Sequence, residues 1–316
     1  MAETQIPVTV LTGYLGAGKT TLINRLLSEP GGRRLAAVVN DFGTIDIDAA
    51  LLSSVSDDVI SLKNGCVCCS LLGDLLQTLS TILRRDPAPD AIVIETSGLS
   101  NPAEIVRTLL DPVVWREAAL ETVICIADAR ALIDQPRLAD EALWQSQLAA
   151  ADFVALSKGD LVSEAERNHI RGTIRRHKSD HLIHDMIEGR LSSELLFAAD
   201  VDRSPVAVGM AHTSAPQSFD TVSWTSDLPL VMPKFQAVIG RHADVLVRAK
   251  GFVTFAERPK DPMLFQLVGS RATIGRVPAG ASKGQAVQLV FIAKNATLDA
   301  AGLIASLTRC CADRTE

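Results

Sequence analysis

Gly13-Tyr14-Leu15-Gly16-Ala17-Gly18-Lys19-Thr20 decides how this chain is read, because it matches the eight-position pattern G-x-x-x-x-G-K-[ST]. Upstream, Ile6–Thr12 is a short β-branched run of strand length; downstream, Thr21–Leu27 has apolar positions at helical spacing. The motif therefore sits at a strand-to-helix turn, where glycines let backbone N–H groups face phosphate oxygens and the helix adds its positive dipole end. Gly13, Gly16, Ala17, Gly18, Lys19, Thr20 and Thr21 are the expected phosphate contacts. Lys19 reaches the β- and γ-phosphates, and Thr20 offers its hydroxyl to Mg²⁺, which prefers oxygen ligands.

The rest of the first 160 residues supports that frame. Arg34–Asn40, Val59–Leu62, Asp90–Glu95, Thr122–Asp128 and Asp152–Ser157 read as strands, and helical stretches between them include Leu71–Leu79 and Leu132–Leu148. Strands alternating with helices predict an α/β fold with a doubly wound, mostly parallel sheet, whose ligands gather at the carboxyl ends of the strands. Glu95-Thr96-Ser97-Gly98 closes a fully apolar strand: the acid suits Mg²⁺, often through water, and Gly98 can aim its N–H at a γ-phosphate. Ser157-Lys158-Gly159-Asp160 stands where guanine-specific proteins of this kind carry N-K-x-D. Asp160 can accept from guanine N1–H and N2–H₂, and Lys158 can lay its stem along the base. Ser157 replaces the more usual Asn.

With 316 residues, 47% hydrophobic and 22% charged, the chain has room for two domains. Its N-terminus lacks a basic region followed by an apolar segment, and no apolar run reaches spanning length, so a cytoplasmic protein without a membrane role is expected. The net charge of −6 is uneven: residues 1–220 hold 19 Lys and Arg against 30 Asp and Glu, and residues 221–316 hold 12 against 7. No dense basic run with interleaved aromatics points to nucleic acid. Three of the six cysteines fall in Cys66-Val67-Cys68-Cys69, which in a cytosolic chain suggests metal or redox chemistry before a disulfide scaffold. Three thiolates suit a tetrahedral site for a borderline ion, with bonds near ~2.3 Å and a fourth position open to exchange. Cys125, Cys310 and Cys311 read as small core or surface residues rather than chemical groups.

From Val162 to about Ala199 the sequence reads as helical and polar, and on one helix His177, His181 and His184 would share a face; ligation there is disfavoured, with no cysteine nearby. The Pro-, Gly- and Ser-containing stretch Ser204–Ser218 reads as a linker. Beyond it come strands at Phe219–Trp224, Asp244–Phe255, Met263–Val277 and Gln285–Lys294, with helices at Met232–Gly240 and Leu298–Cys310. The division is thus 1–204, linker 205–218, and a smaller α+β domain 219–316.

Several of these stretches together resemble the CobW/HypB/UreG group of metal-handling GTPases. The likeness is carried by Gly13–Thr20, Asn40-Asp41-Phe42-Gly43 with Ile47-Asp48, Gly65–Cys69 with Asp74, Glu95–Gly98 and Ser157–Asp160; Arg248–Phe252 and Gln288–Ile292 look like that family's C-terminal domain. The resemblance implies GTP and GDP as ligands, Mg²⁺ as cofactor, and catalysis of GTP hydrolysis with Lys19 and Glu95 at its centre. It further implies Zn²⁺ or a neighbouring divalent ion at Cys66, Cys68 and Cys69, with Asp41 and Asp48 as switch-loop ligands, and a client protein that receives the metal. Asp41 stands where the family commonly has Glu, Asp46 replaces a common Gly, and no His-rich tract is present. Self-association is left open. So are three other readings: a metal buffer or redox sensor that carries nucleotide, an assistant in assembling cobalamin or a metalloenzyme centre, and an ATP-dependent kinase or transferase, which Asp160 argues against.

Overall fold

In the computed structural model, which describes residues 6–39, 59–61, 70–111, 114, 118–179, 182–197, 219–277, 285–294 and 296–312, the chain divides into two units, one of them running from Gln5 to Phe197. Its elements are β1 (Ile6–Thr12), α1 (Lys19–Ser28), β2 (Leu35–Val39), β3 (Val59–Ser61), α2 (Ser70–Leu83), β4 (Ala91–Glu95), α3 (Ala103–Leu109), β5 (Ala118–Asp128), α4 (Ala129–Asp134), α5 (Ala142–Ala150), β6 (Phe153–Ser157), α6 (Glu164–Arg175), β7 (Ile183–Asp185) and α7 (Ser193–Leu196). The sheet has seven strands in the order β3-β2-β4-β1-β5-β6-β7, all parallel.

The apolar runs form strands because helices cover both faces of such a sheet, so no alternation with polar residues is needed. β2, β4 and β6 are buried at every position. Val8, Val10, Val38, Ile92, Ile94, Leu120 and Val154 are core residues of the sheet, joined by Leu75 and Leu79 from α2, Ile105 from α3, Trp144 and Leu148 from α5, and Ile170 and Ile174 from α6. Register sets the functional edge: Leu11 pairs with Glu95, Val39 with both Glu95 and Ser61, and Asp128 with Ser157. The C-terminal residues of β4, β5 and β6 therefore stand along one rim.

Three expectations change. The helix expected over Leu132–Leu148 is broken into α4, a 3₁₀ turn at Pro136–Asp140, and α5; Pro136 lacks the N–H that a continuous helix needs. The helical reading of Val162–Ala199 holds for α6, to Arg175, and for the short α7, but between them Ile183–Asp185 is a seventh strand paired with β6. No helix therefore carries the three histidines: His177 lies beyond α6 with its ring edge-on to Trp144, and His184 sits in β7 edge-on to Phe153, while His181 is outside the described residues. Met263–Val277 is not one strand, as described below.

The second unit holds β8 (Phe219–Ser226), α8 (Met232–His242), β9 (Leu246–Phe255), β10 (Arg258–Val268), β11 (Arg271–Arg276), β12 (Val287–Lys294) and α9 (Ala300–Thr308). Its five strands run antiparallel in the order β11-β10-β9-β12-β8. Phe235 and Val238 of α8 and Leu303 and Leu307 of α9 pack with Phe255, Phe265, Leu289 and Phe291 of the sheet. Val268 pairs with Arg271, so Gly269-Ser270 is a two-residue hairpin turn, and Gly269 has a φ of +57°. A turn of that hand suits the twist of the flanking strands. Among the described residues no helix is long and apolar enough to cross a membrane.

Candidate nucleotide site

The turn between β1 and α1 is shaped for close approach. Gly13, Gly16 and Gly18 have φ values of +138°, +70° and +102°, backbone conformations that side chains resist. A Cβ on Gly13 would lie 2.3 Å from the Ile126 carbonyl oxygen, whereas one on Gly16 would meet nothing within 4 Å. One glycine thus seats the loop against β5 and another leaves its backbone open. Gly18 is the N-cap of α1, so the dipole end of a ten-residue helix faces the same turn. Lys19, only 6% exposed, donates from Nζ to the carbonyls of Gly13 at 2.9 Å and Tyr14 at 3.1 Å, bending its head back over the loop. Thr21, one residue past the motif, is exposed.

Thr20 and Glu95 are brought together from 75 residues apart. The Thr20 hydroxyl donates to the two carboxylate oxygens of Glu95 at 3.1 and 3.2 Å. Glu95 is buried, at the end of β4. A hydroxyl and a carboxylate this close are the oxygen donors a hard divalent cation takes, so the residues fit Mg²⁺. The open backbone at Gly16 and the glycine turn likewise fit a phosphate chain.

After β4 the chain folds back on the phosphate loop: the Thr96 N–H donates to the Leu11 carbonyl at 2.9 Å, and a Cβ on Gly98 would lie 2.7 Å from the Leu15 nitrogen. Only glycine fits there. Leu99 N–H donates to the Ser97 hydroxyl and Ser100 N–H to the Ser97 carbonyl, making a local turn. Gln147 of α5 completes it, donating from Nε2 to the carbonyls of Gly98 at 3.2 Å and Ser100 at 3.3 Å.

The loop after β6 is tied to the same place. Ser157 is buried, and its hydroxyl lies within hydrogen-bonding distance of two carbonyls, Ala17 in the phosphate loop at 2.7 Å and Ala127 at 3.3 Å. The shorter side chain that replaces Asn still bridges the two loops. Lys158, at φ +54°, places Nζ 2.5 Å from an Asp128 carboxylate oxygen. The other Asp128 oxygen accepts from Ala131 N–H and caps α4. Arg167 donates to the Gly159 carbonyl at 2.6 Å, and Asp160 is exposed.

Asp41, Asp48, Cys66, Cys68 and Cys69 lie outside the described residues. The chain enters the cysteine-bearing stretch from Ser61, the end of β3, and leaves it into α2. Among the described residues no group of three His, Cys, Asp or Glu could hold a metal ion. Of the cysteines expected in core or surface packing, Cys125 and Cys310 are buried and Cys311 is half-buried; burial pushes the Cys125 thiol up to about 12 and raises Cys310 as well.

Sequence reasoning missed Asp128, Gln147 and the Tyr14–Glu141 contact, in which the Glu141 carboxylate beside the Tyr14 phenol pushes its pKa up. An acid between an apolar strand and a helix is an N-cap signal that marks Asp128. Nothing in the sequence marks Gln147, because its partners are backbone carbonyls 47 and 49 residues away.

Residues 7–184 match the CobW/HypB/UreG nucleotide-binding domain, and residues 219–311 match the cobalamin synthesis protein cobW C-terminal domain. Zinc chaperone CobW of a Sinorhizobium species is 31% identical over 350 aligned positions, covering 96% of this chain and 97% of that protein. Zinc chaperone YjiA of Escherichia coli K12 is 30% identical over 276 positions, covering 83% and 85%. The crystal structure of Zn(II)-bound YjiA GTPase is 24% identical to this chain, covers 98% of it and 100% of its own length, and superposes with a TM-score of 0.45. With more than half of its length matched by that nucleotide-binding domain and a relative aligned almost end to end, the chain belongs to the CobW/HypB/UreG family.

Proposed function

We propose that this protein is a cytoplasmic GTPase that carries Zn²⁺ as cargo at Cys66, Cys68 and Cys69 and passes it to a client protein under control of the bound nucleotide. The division into 1–204, linker 205–218 and 219–316 belongs to the same reading. The observation that carries its GTPase half is the contact of Thr20 with Glu95, which joins the phosphate loop to the end of β4 through hydroxyl and carboxylate oxygens. Family membership adds the class of reaction, and two relatives that align with most of this chain bear the name zinc chaperone.

In this mechanism Lys19 exchanges the carbonyls of Gly13 and Tyr14 for β- and γ-phosphate oxygens. Its charge then meets the charge that develops as the terminal phosphoryl leaves. Thr20 and Glu95 would hold Mg²⁺, Glu95 through water, and the bound ion would supply neutralisation of phosphate charge there; Asp41 and Asp48 belong with the cysteines as candidate ligands of the cargo ion. Gly98 aims its N–H at the γ-phosphate. At the other end Asp160 accepts from the two guanine N–H groups and Lys158 lies along the base.

Two variants test the nucleotide reading in a hydrolysis and binding assay. Lys19→Ala should lower GTP turnover by about 10²-fold or more, the scale of removing a charge-stabilising donor. Asp160→Asn should weaken GTP and favour xanthosine triphosphate, because an amide can pair with the extra carbonyl of that base. Normal turnover in the first variant, or equal binding of ATP and GTP by the unmodified protein, would refute the assignment.

A further inference from the structure

Gln147 is fully buried, yet it is an amide on a helix whose other inward side chains, Trp144 and Leu148, are apolar. Its two N–H donors are spent on carbonyls of one loop, those of Gly98 and Ser100. Two carbonyl oxygens can only be met by the NH₂ end, so the amide's orientation is fixed by chemistry. The other end is then left over: Oε1 is buried with no hydrogen-bond partner among the described residues. A side chain present only to fill volume carries no such penalty, since Met or Leu would occupy the same space without a stranded carbonyl.

The clamped loop is held from both sides. Gly98 leans on the phosphate loop so closely that a Cβ would meet the Leu15 nitrogen at 2.7 Å, and Gln147 grips it from α5. The same helix reaches the phosphate loop at its start, where the N-cap residue Glu141 meets Tyr14. One short helix therefore touches the loop that cradles phosphates and the loop that senses the last of them.

We propose that Gln147 is a positioning residue that holds the loop after β4 ready for the γ-phosphate, so that it sets the preference of this site for GTP over GDP. This rests on the guanine-nucleotide reading above. GDP has nothing to offer Gly98, so its affinity does not depend on where the loop is held. GTP gains from a loop whose ordering is already complete before binding.

The test is the affinity of the full-length protein for GDP and for a non-hydrolysable GTP analogue, both with Mg²⁺, in the unmodified protein, Gln147→Met and Gln147→Glu. Met keeps the volume and loses both donors; Glu keeps the shape and sets oxygens against the two carbonyls. The expected result is a loss of about tenfold in analogue affinity with GDP affinity within twofold of the unmodified protein, since preorganisation is lost only for the ligand that uses it. Equal losses for both nucleotides, or no loss for either, overturn the proposal while leaving the GTPase reading intact. Failure of the unmodified protein to bind either guanine nucleotide overturns the reading of function instead. If neither variant folds, backbone hydrogen exchange of the unmodified protein decides: Leu99 and Ser100 amides equally slow with GDP and with the analogue support the latch. Fast exchange with GDP and slow exchange only with the analogue overturn it.

Discussion

Cys125 sits in the middle of β5, paired with Thr12 of β1 across the sheet, and its thiol is fully enclosed. Burial pushes its pKa up to about 12, against partial opposition from the charges of Lys19 and Lys178. An unfolded cysteine releases its proton near pH 8.5 to 9. Between there and about 12 the folded state holds a proton that the unfolded state has lost, so this group's contribution to stability falls as pH rises. Urea titrations of the unmodified protein and Cys125→Ala should therefore differ by an amount constant below pH 8. Above pH 9 that difference should shift against the unmodified protein by roughly 1.4 kcal/mol per pH unit. A difference independent of pH to 11 would show that the thiol is not enclosed. Gly13 makes the complementary point about legibility. The motif shows that a glycine belongs at that position, but the reason, a carbonyl of Ile126 lying 2.3 Å from any Cβ, comes from a strand more than a hundred residues away.

Single side chains tie the short elements around the site together. Asp128 both caps α4 and pairs with Lys158, through different oxygens. Asp128→Asn separates the two roles, because an amide oxygen still accepts from Ala131 N–H while the ion pair is lost. Lys158 is 40% exposed in that pair, so the effect is modest. We expect GTP and GDP to weaken together by about three- to tenfold, measured by calorimetry, since both carry the base along which the proposed mechanism lays Lys158. A change confined to GTP would contradict the placement of Lys158 beside the base. Elements were legible in the sequence in proportion to their apolar length. β4, β6 and the Val123–Ala127 part of β5 are continuous apolar runs, whereas β7 has three residues, two of them His184 and Asp185, and becomes a strand only because β6 offers it an edge. Pro136 signals the break between α4 and α5 and Gly269-Ser270 the β10–β11 turn, each inside a stretch that apolar periodicity alone presents as one element.

For the whole molecule, the proposed function requires that nucleotide and cargo sites report on each other. The fold class and both nucleotide loops could be read from the sequence because each depends on a contiguous stretch of backbone. What could not be read was how those stretches are tied, since Ser157 to Ala17, Thr20 to Glu95 and Gln147 to Gly98 are contacts of tertiary packing. If the GTP and GDP forms differ in Zn²⁺ affinity, Zn²⁺ must shift the GTP/GDP preference by the same factor, typically ~5–150-fold for coupled sites. Competition with a chromophoric chelator, run in GDP and in a non-hydrolysable GTP analogue, measures it. Equal affinities in both states, together with Cys66→Ala, Cys68→Ala and Cys69→Ala that each leave them unchanged, would sink the metal-transfer mechanism. Neighbouring strands of a sheet stand about 4.8 Å apart, so the order β3-β2-β4-β1-β5-β6 also works as a ruler. Ser61, where the chain sets out toward the cysteines, is two spacings, about 10 Å, from Glu95, but five spacings, about 24 Å, from Ser157. With Glu95 and Asp160 in their proposed roles, the chain departs for its cysteines on the phosphate side of the rim and far from the base side, so cargo affinity should be deaf to which purine is bound and responsive to how many phosphates it carries.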